Sequence, residues 1–237
     1  MYKRMGNTVG STNPNLCNFP KNEFETYILG LWCADGFSRS SSIGISNTDI
    51  DLVRLSKKFL ENYFPKERLR LTVYYPLDKY KDKQKQKLIP KDFWEIKTTF
   101  SVSKKAKHIA YHLYVNSRSF LGLFEECRQK IETVVKEKNI YIYFAGRFDG
   151  DGSVDKDFRR DCRIVYSTEK EAIDDLNLLR KFNFHLSKVY KYRNSKTYVL
   201  YVSRFEASNF LKNISKYSIK LYKLGFVPRR DLILTRP

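Results

Sequence analysis

Cysteine is scarce in this sequence, and none of the four cysteines lies in a Cys-x-x-Cys pair. This argues against a zinc site or a disulfide framework and favours reduced thiols in an intracellular protein. Long apolar runs are also lacking, since no stretch reaches the roughly 18 residues that a membrane-spanning helix requires. Residues 1–20 lack the apolar core of a signal peptide, so we expect a non-secreted protein with a flexible arm over residues 1–21.

Acidic residues are outnumbered, because 26 Asp and Glu stand against 45 Lys and Arg and leave a net charge of +19. This excess predicts a polyanionic partner, with nucleic acid first and an anionic membrane surface a distant second. A protein made basic for solubility alone is the alternative. The interleaving of basic and aromatic residues on predicted strands favours nucleic acid.

Two similar stretches, residues 28–36 and residues 144–152, organise the rest of the chain. In each, a small or apolar residue is followed by Gly, four further residues and Asp-Gly. Each stretch is predicted to be a helix that ends in a carboxylate, where the helix dipole disfavours an anion. Two such carboxylates, Asp35 and Asp151, at equivalent points of a repeat indicate that a cation lies between them.

The same order of elements occurs twice, each time beginning with the motif helix: helix, strand, helix, strand, strand, helix. Capping-box spacing predicts helices that open at Asn22, Thr48, Thr168 and Ser203. Alternating apolar residues predict strands at residues 43–46, 68–74, 93–102, 162–166, 188–193 and 197–203. We assign residues 22–115 to a first repeat, 116–138 to a connector, and 139–237 to a second repeat with a C-terminal helical tail.

Two local features of the first repeat carry separate predictions. The Lys-rich residues 79–91 are expected to be a long hairpin loop, either disordered or in contact with phosphates. A helix is expected from Ser103 through Leu113, with His108 and His112 one turn apart. No further ligands are placed near these histidines, which argues against a zinc site.

Small residues in the two motif helices recur with i, i+4 spacing, which lets two helix backbones approach closely. Such an approach would bring Asp35 and Asp151 together at one end of the helix pair. The alternative is a pair of core helices whose acids are exposed caps. The predicted helix interface consists of Gly30, Ala34, Gly146 and Gly150.

Two adjacent carboxylates repel each other, and a bound cation would offset this repulsion. Hard oxygen ligands select Mg²⁺-like ions over zinc. A metal centre set among basic sheet faces suits phosphodiester hydrolysis. Two symmetry-related acids would each contribute to hydrolysis of one strand of a duplex. A merely solvated strand face remains the alternative for the strand at 68–74. The candidate DNA-binding residues are Arg68, Arg70, Thr72, Tyr74, Lys97, Lys188, Tyr190, Tyr192, Arg193 and Lys196.

The stretches Leu29–Gly36 and Ala145–Gly152 resemble the two signature motifs of single-chain LAGLIDADG homing endonucleases, and the resemblance covers about residues 22–215. It implies an α+β fold with two pseudo-symmetric αββαββα repeats and antiparallel, saddle-shaped sheets. It also implies a monomer, without a protein partner, that cuts both strands of a long near-palindromic DNA site. A non-cleaving DNA-binding regulator or an intron RNA maturase of the same fold is the alternative.

The resemblance further implies roles for individual residues. Asp35 and Asp151 would bind Mg²⁺, with the backbone of Ala34 and Gly150 as further candidate ligands and Mn²⁺ or Ca²⁺ as substitutes for binding. The polar groups around the metal-bound waters would be Asn47, Thr168 and a lysine, for which Lys216 is chosen over Lys212 and Lys220. One strand per repeat is missing from the pattern and is expected at residues 36–42 and 152–160.

The two motifs depart from the pattern of the family at two positions. Cys33 stands where the second copy has Asp149, at a position that is usually structural in the family. Arg147 replaces an apolar residue, which either disturbs the packing there or marks a DNA contact.

Overall fold

A computed structural model of the chain describes residues 19–37, 41–76, 86–103, 107–155, 162–193 and 195–226. The predicted arm up to residue 18, most of the Lys-rich stretch and the end of the C-terminal tail lie outside these ranges. The described residues form two compact units: unit 1 contains residues 35–124, and unit 2 contains residues 19–34 and 125–226. The first motif helix thus belongs to unit 2 up to Ala34, and the repeat boundaries proposed from the sequence stay predictions.

The first motif helix, α1 (Glu23–Asp35), is followed by the elements of unit 1. The N-terminal cap of α1 is the predicted one, since the Glu25 backbone N–H donates to Asn22 Oδ1 at 2.9 Å. The next elements are β1 (Gly36–Phe37), β2 (Ser42–Asn47), α2 (Ile50–Glu61), β3 (Arg70–Tyr75), β4 (Lys97–Val102), β5 (Ala110–Asn116) and α3 (Arg118–Gln129).

The sheet of unit 1 has the order β1-β2-β5-β3-β4, and α2 packs against β2 and β5. The alternation of β3 is confirmed, because Leu71 and Val73 are buried while Thr72 and Tyr74, on the other face, are half-buried. All pairs are antiparallel except β3–β4, which is parallel. The predicted hairpin between these two strands is therefore wrong, since a parallel pair requires a crossover connection.

Two further predictions for unit 1 are wrong. The segment expected to continue a helix to Leu113 is strand β5, which pairs with both β2 and β3 in the middle of the sheet. Its apolar residues fit a helical spacing locally, but neighbouring strands on both sides fix it as a strand. Helix α2 is capped by Asp49, whose side chain accepts the Asp51 N–H, and not by Thr48.

Unit 2 continues with α4 (Ile131–Val134), α5 (Ile140–Asp151), β6 (Gly152–Val154), β7 (Cys162–Tyr166), α6 (Glu169–Arg180), β8 (Lys188–Lys191), β9 (Tyr198–Val202), α7 (Arg204–Ile214) and α8 (Ile219–Lys223). From α5 to α7 this is the predicted αββαββα order, and its antiparallel sheet has the order β6-β7-β9-β8. The missing strands are β1 and β6, which pair with β2 and β7 as expected. The predicted caps Thr168 and Ser203 are also confirmed.

Helices α1 and α5 touch through their backbones inside unit 2. A Cβ atom added to Gly30 would lie 2.1 Å from the carbonyl oxygen of Tyr143, and one added to Gly146 would lie 2.2 Å from that of Tyr27. Real Cβ atoms do not come so close to backbone oxygens, so only glycine fits at these two crossings. Ala34 and Gly150, the other two predicted interface residues, are half-buried.

The substitution Gly146→Ala is expected to lower the free energy of unfolding by about 3 kcal/mol, because the added methyl group forces two helix backbones apart. Urea unfolding followed by circular dichroism measures this loss. Gly122→Ala on α3 is the matched control, since a Cβ there meets nothing within 4 Å. The control should gain up to about 1 kcal/mol from helix propensity. Equal stability of the two variants would contradict the close contact.

Candidate metal-binding carboxylates and nucleic-acid interface

Asp35 is the last residue of α1 and is half-buried. Asn47, at the end of β2, donates from Nδ2 to Asp35 Oδ2 at 2.6 Å. The backbone N–H of Asp49 donates to the Oδ1 atom of the same amide at 2.6 Å, which sets the orientation of the amide. The structure therefore brings together two of the predicted site residues of unit 1, with Asn47 holding one carboxylate oxygen of Asp35.

Asp151 is the last residue of α5 and is also half-buried. Burial raises the pKa of its carboxyl group, and the positive charges of Arg147 and Lys220 partly offset this. A raised pKa means that the ionised form is held less well than in water, and a bound cation would favour that form. The approach of Asp35 to Asp151, which belong to different units, stays a prediction.

The lysine at this helix end is Lys220, which corrects the choice of Lys216. Lys220 Nζ donates to the carbonyl oxygens of Phe148, Gly150 and Gly152 at 3.1, 3.1 and 2.9 Å. Lys212, in the last turn of α7, and Lys216, between α7 and α8, are both exposed. Lys220 comes to the motif because α8 is docked by Asp149, a contact between residues far apart in sequence that local patterns do not reveal.

Thr168 does not occupy the position that corresponds to Asn47. Gly36 pairs with Ile45 in unit 1 and Gly152 pairs with Ile164 in unit 2, so Tyr166 is the register equivalent of Asn47. The Thr168 side chain instead caps α6 by accepting the Glu171 N–H at 3.3 Å. The Tyr166 hydroxyl donates to Asp175 Oδ2 at 2.7 Å. In unit 2 this position is therefore part of the buried core.

Asp149 joins α5 to the C-terminal helix α8. Its carboxylate accepts hydrogen bonds from the Tyr27 hydroxyl at 2.5 Å, the Ile219 N–H at 2.7 Å and the Lys220 N–H at 3.1 Å. The Ser218 hydroxyl is a fourth donor. Burial raises the pKa of Asp149 to about 6. The four hydrogen-bond donors stabilise the ionised carboxylate and so limit this rise. The role of Asp149 is therefore structural.

Arg147 is buried in the core of unit 2, with 2% of its surface exposed, so of the two alternatives for this residue the DNA contact is wrong. Its Nε atom lies 3.0 Å from Asp175 Oδ2, and its guanidinium carbon lies 4.2 Å from the centre of the Tyr166 ring. Tyr143 also donates to Asp175, at 2.9 Å. A signal for this cluster was present in the sequence, since Asp175 lies on the apolar face of α6 beside Leu176 and Leu179.

The open face of the unit 1 sheet carries several predicted DNA-binding residues. Register places Arg70, Thr72 and Tyr74 of β3 on this face, with Lys97 of β4 opposite Arg70. The Arg70 guanidinium folds back onto the carbonyl oxygens of Glu67 and Leu69. Arg68, expected on the same strand, lies in a 3-10 turn and donates to the Asn116 carbonyl oxygen at 2.8 Å.

Two aromatic residues of this face were missed because β5 was expected to be helical. His112 lies opposite Thr72 and Tyr114 lies opposite Arg70. The ring of Phe37 stands edge-on to His112, with 4.1 Å between ring centres. Burial lowers the pKa of His112 to about 4, so this imidazole is neutral at pH 7. The open face is thus aromatic near Asp35 and basic further along.

The open face of the unit 2 sheet places Lys188 and Tyr190 of β8 on the same side as Tyr201 and Arg163. Lys188 Nζ lies 5.9 Å from the centre of the Tyr201 ring. Tyr201 and Arg163 were missed, although the alternation of β7 and β9 marks them. The remaining predicted contacts are exposed in the connection from β8 to β9, and they are Tyr192, Arg193 and Lys196.

The chemistry of these helix ends fits a Mg²⁺-like ion. The groups at each helix end are a carboxylate and backbone carbonyl oxygens, which are hard oxygen ligands. Within the described ranges, no group of three or more His, Cys, Asp or Glu residues is placed to hold a metal ion alone. Mg²⁺ typically binds through one or two carboxylates and completes its shell with water and substrate phosphates, so a small set of protein ligands is expected.

None of the helices in the described part of the chain is long and apolar enough to cross a membrane.

Comparison with known proteins identifies the fold. A family model described as a LAGLIDADG-like domain matches residues 139–215. A structure of I-DmoI in complex with DNA and Ca superposes with a TM-score of 0.55 at 14% identity, over 86% of this chain and 98% of that chain. A structure of mesophilic variants of the homing endonuclease I-DmoI gives a TM-score of 0.54 at 14% identity, over 81% and 94% of the two chains.

The fold is not confined to structures described as nucleases. The N-terminal LAGLIDADG domain of DUF199/WhiA superposes with a TM-score of 0.50 at 17% identity, over 91% of this chain and 94% of that one. No curated protein sequence matches the chain. Residues 139–215 are thus a LAGLIDADG-like domain, and the chain has the two-repeat fold of the single-chain LAGLIDADG homing endonucleases.

Proposed function

We propose that this protein is a site-specific DNA endonuclease that hydrolyses phosphodiesters on both strands of a duplex, with Mg²⁺ bound by Asp35 and Asp151. The observation that carries the proposal is that both motif helices end in an aspartate directly before the first strand of a sheet. Support comes from the shared fold and from the DNA and Mg, Mn or Ca ions in I-DmoI structures.

The open sheet faces supply the DNA-binding surface in this proposal. Their side chains combine positive charge, hydroxyl groups and aromatic rings, which bind phosphates and contact base edges. The net charge of +19 adds a long-range attraction to a polyanion. The expected substrate is double-stranded DNA with a long, near-palindromic site, bound by one copy of the chain.

Each acid has a neighbour that fixes its position. Asn47 holds one oxygen of Asp35, and Lys220 ties the last turn of α5, next to Asp151, to α8. When bound, the metal would polarise the scissile phosphate and lower the pKa of a bound water. The residues of this chain orient the carboxylates, and the basic faces hold the phosphodiester backbone.

The test is cleavage of a randomised duplex DNA library, followed by sequencing of the products. In Mg²⁺ we expect double-strand cuts with short 3′ overhangs at one long, near-palindromic sequence, and in Ca²⁺ we expect binding. DNA binding without cleavage in either Mg²⁺ or Mn²⁺ would overturn the nuclease. Folding of an intron RNA only when the protein is present would then identify a maturase.

A further inference from the structure

Strands β3 and β5 of unit 1 correspond to β8 and β9 of unit 2, since β5 lies between β2 and β3 as β9 lies between β7 and β8. The connections within these two pairs differ greatly in length. Residues 192–197 join β8 to β9, whereas residues 76–109 join β3 to β5 and include the additional strand β4. The two repeats are therefore unequal at the same point of the fold.

Strand β4 widens the open face of the unit 1 sheet by one strand. It pairs with β3 at one edge of that sheet, whereas in the described part of unit 2 the sheet ends at β8. The register places Lys97 beside Arg70 and Thr99 beside Thr72. The hydroxyl oxygens of Thr72 and Thr99 form a hydrogen bond at 2.9 Å, so both side chains lie on the open face. Lys97 and Thr99 are exposed there.

The segment before β4 fixes this strand to unit 1. Phe93 and Ile96 are buried, with 0% and 3% of their surfaces exposed. Asp92 forms an ion pair with Arg54 of α2 at 3.1 Å. A side chain on an anchored strand is held in position more closely than one on a loop, as recognition of a duplex requires.

Protection of the sheet edge is the alternative role for β4, since an unpaired edge strand invites association with other chains. That role requires only backbone pairing. The open-face side chains of β4 also repeat those of its neighbour, because Lys97 and Thr99 form a cation–hydroxyl row beside Arg70 and Thr72. These groups donate to phosphate oxygens and base edges. The donor pattern of β3 is thus continued one strand further out.

We propose that β4 lengthens the part of the DNA target recognised by unit 1, so that the two half-sites are of unequal length. The proposal rests on the DNA-binding part of the proposed function. Strand β1 follows Asp35 directly and lies at the opposite edge of the sheet from β4. Lys97 and Thr99 therefore contact the base pairs furthest from the cleaved phosphates. One strand spacing of about 4.8 Å corresponds to one or two base pairs, which rise about 3.4 Å each.

The test is selection of bound sequences from a randomised duplex library by the full-length protein in Ca²⁺, which gives the base preference at each position. The natural protein is expected to select a site in which one half extends about one or two base pairs further than the other. The double variant Lys97→Gln, Thr99→Val removes the charge and the hydroxyl group and keeps the size of both side chains. Its base preference at the additional positions should fall about tenfold, with the inner positions unchanged.

Two control variants make the same chemical changes away from the open face. Thr98→Val removes a hydroxyl group from the other face of β4, and Lys58→Gln removes a charge from an exposed position on α2. Both should select the same site as the natural protein. Thermal unfolding followed by circular dichroism confirms that each variant is folded. If the double variant is not, Lys97→Gln alone carries the test, because Lys97 is exposed.

Two results would overturn the proposal and leave the proposed function standing. One is a selected site with halves of equal length. The other is a longer half whose base preferences are the same in the natural protein and in the folded variant that lacks the Lys97 charge. Failure to select any DNA sequence would contradict the proposed function itself, and the unequal half-sites would fail with it.

Discussion

Asp35→Asn and Asp151→Asn are each expected to reduce double-strand cleavage by at least about a thousandfold while DNA binding persists. A metal ion supplies several kcal/mol of stabilisation to a phosphoryl transition state, and about 4 kcal/mol corresponds to that factor. Asparagine keeps the size of the side chain and removes the charge that holds the ion. The measurement is the rate of linearisation of a supercoiled plasmid that carries the selected site.

The matched control is Glu126→Gln, which removes one negative charge from an exposed carboxylate paired with Lys130. It should cut DNA at the rate of the natural protein, so a general change in net charge is excluded as the cause. Binding of the selected site, measured by gel shift in Ca²⁺, should be retained by both aspartate variants. Full cleavage by either aspartate variant would remove that residue from metal binding.

Signals that lie within a few residues of each other predicted much of the fold. The caps at Asn22, Thr168 and Ser203 depend on one side chain and a backbone N–H two or three residues away, so the sequence contains the whole interaction. Strands β3 and β7 were likewise predictable, because alternating apolar and polar residues are enough to indicate one buried and one open face. Strand β5 was missed because its apolar spacing fits a helix as well, and only its pairing with β2 and β3 decides between the two.

In the candidate site, too, local signals were predicted and contacts between distant residues were not. Asp35 and Asp151 were found because the motif repeats, whereas the lysine at the end of α5 was misplaced by one helical turn. Its position depends on the carboxylate of Asp149, which accepts the first N–H groups of α8 from about 70 residues away. Tyr166 is the equivalent of Asn47 by strand register, and the pairing that sets this register is not visible in the sequence around either residue.

Arg147→Leu is expected to lower the free energy of unfolding by about 3–5 kcal/mol, although leucine is the residue at the equivalent position 31 of the first motif. The substitution leaves the carboxylate of Asp175 buried without its positive partner. Tyr143 and Tyr166 would still donate to it, but two neutral hydroxyl groups do not replace a charge. Urea unfolding at pH 7 measures the loss.

The loss should shrink as the pH falls. Burial already raises the pKa of Asp175 above its ordinary value, and Arg147 is the main group that opposes this rise. Without Arg147 the folded protein holds the protonated form more strongly than the unfolded chain does, so the variant gains stability as the pH falls through the raised pKa. Urea unfolding at pH 5 should therefore show a smaller difference from the natural protein than at pH 7.

A double-mutant cycle with Asp175→Asn isolates the ion pair from the packing of the arginine stem. Each single substitution should be strongly destabilising, and the second should cost about 2 kcal/mol less when the first is present, because the partner charge is already gone. Additive losses, or an Arg147→Leu variant within about 1 kcal/mol of the natural protein, would mean that the arginine only fills space. In the expected case, the second motif helix is held in its unit by a buried charge pair where the first has a buried leucine.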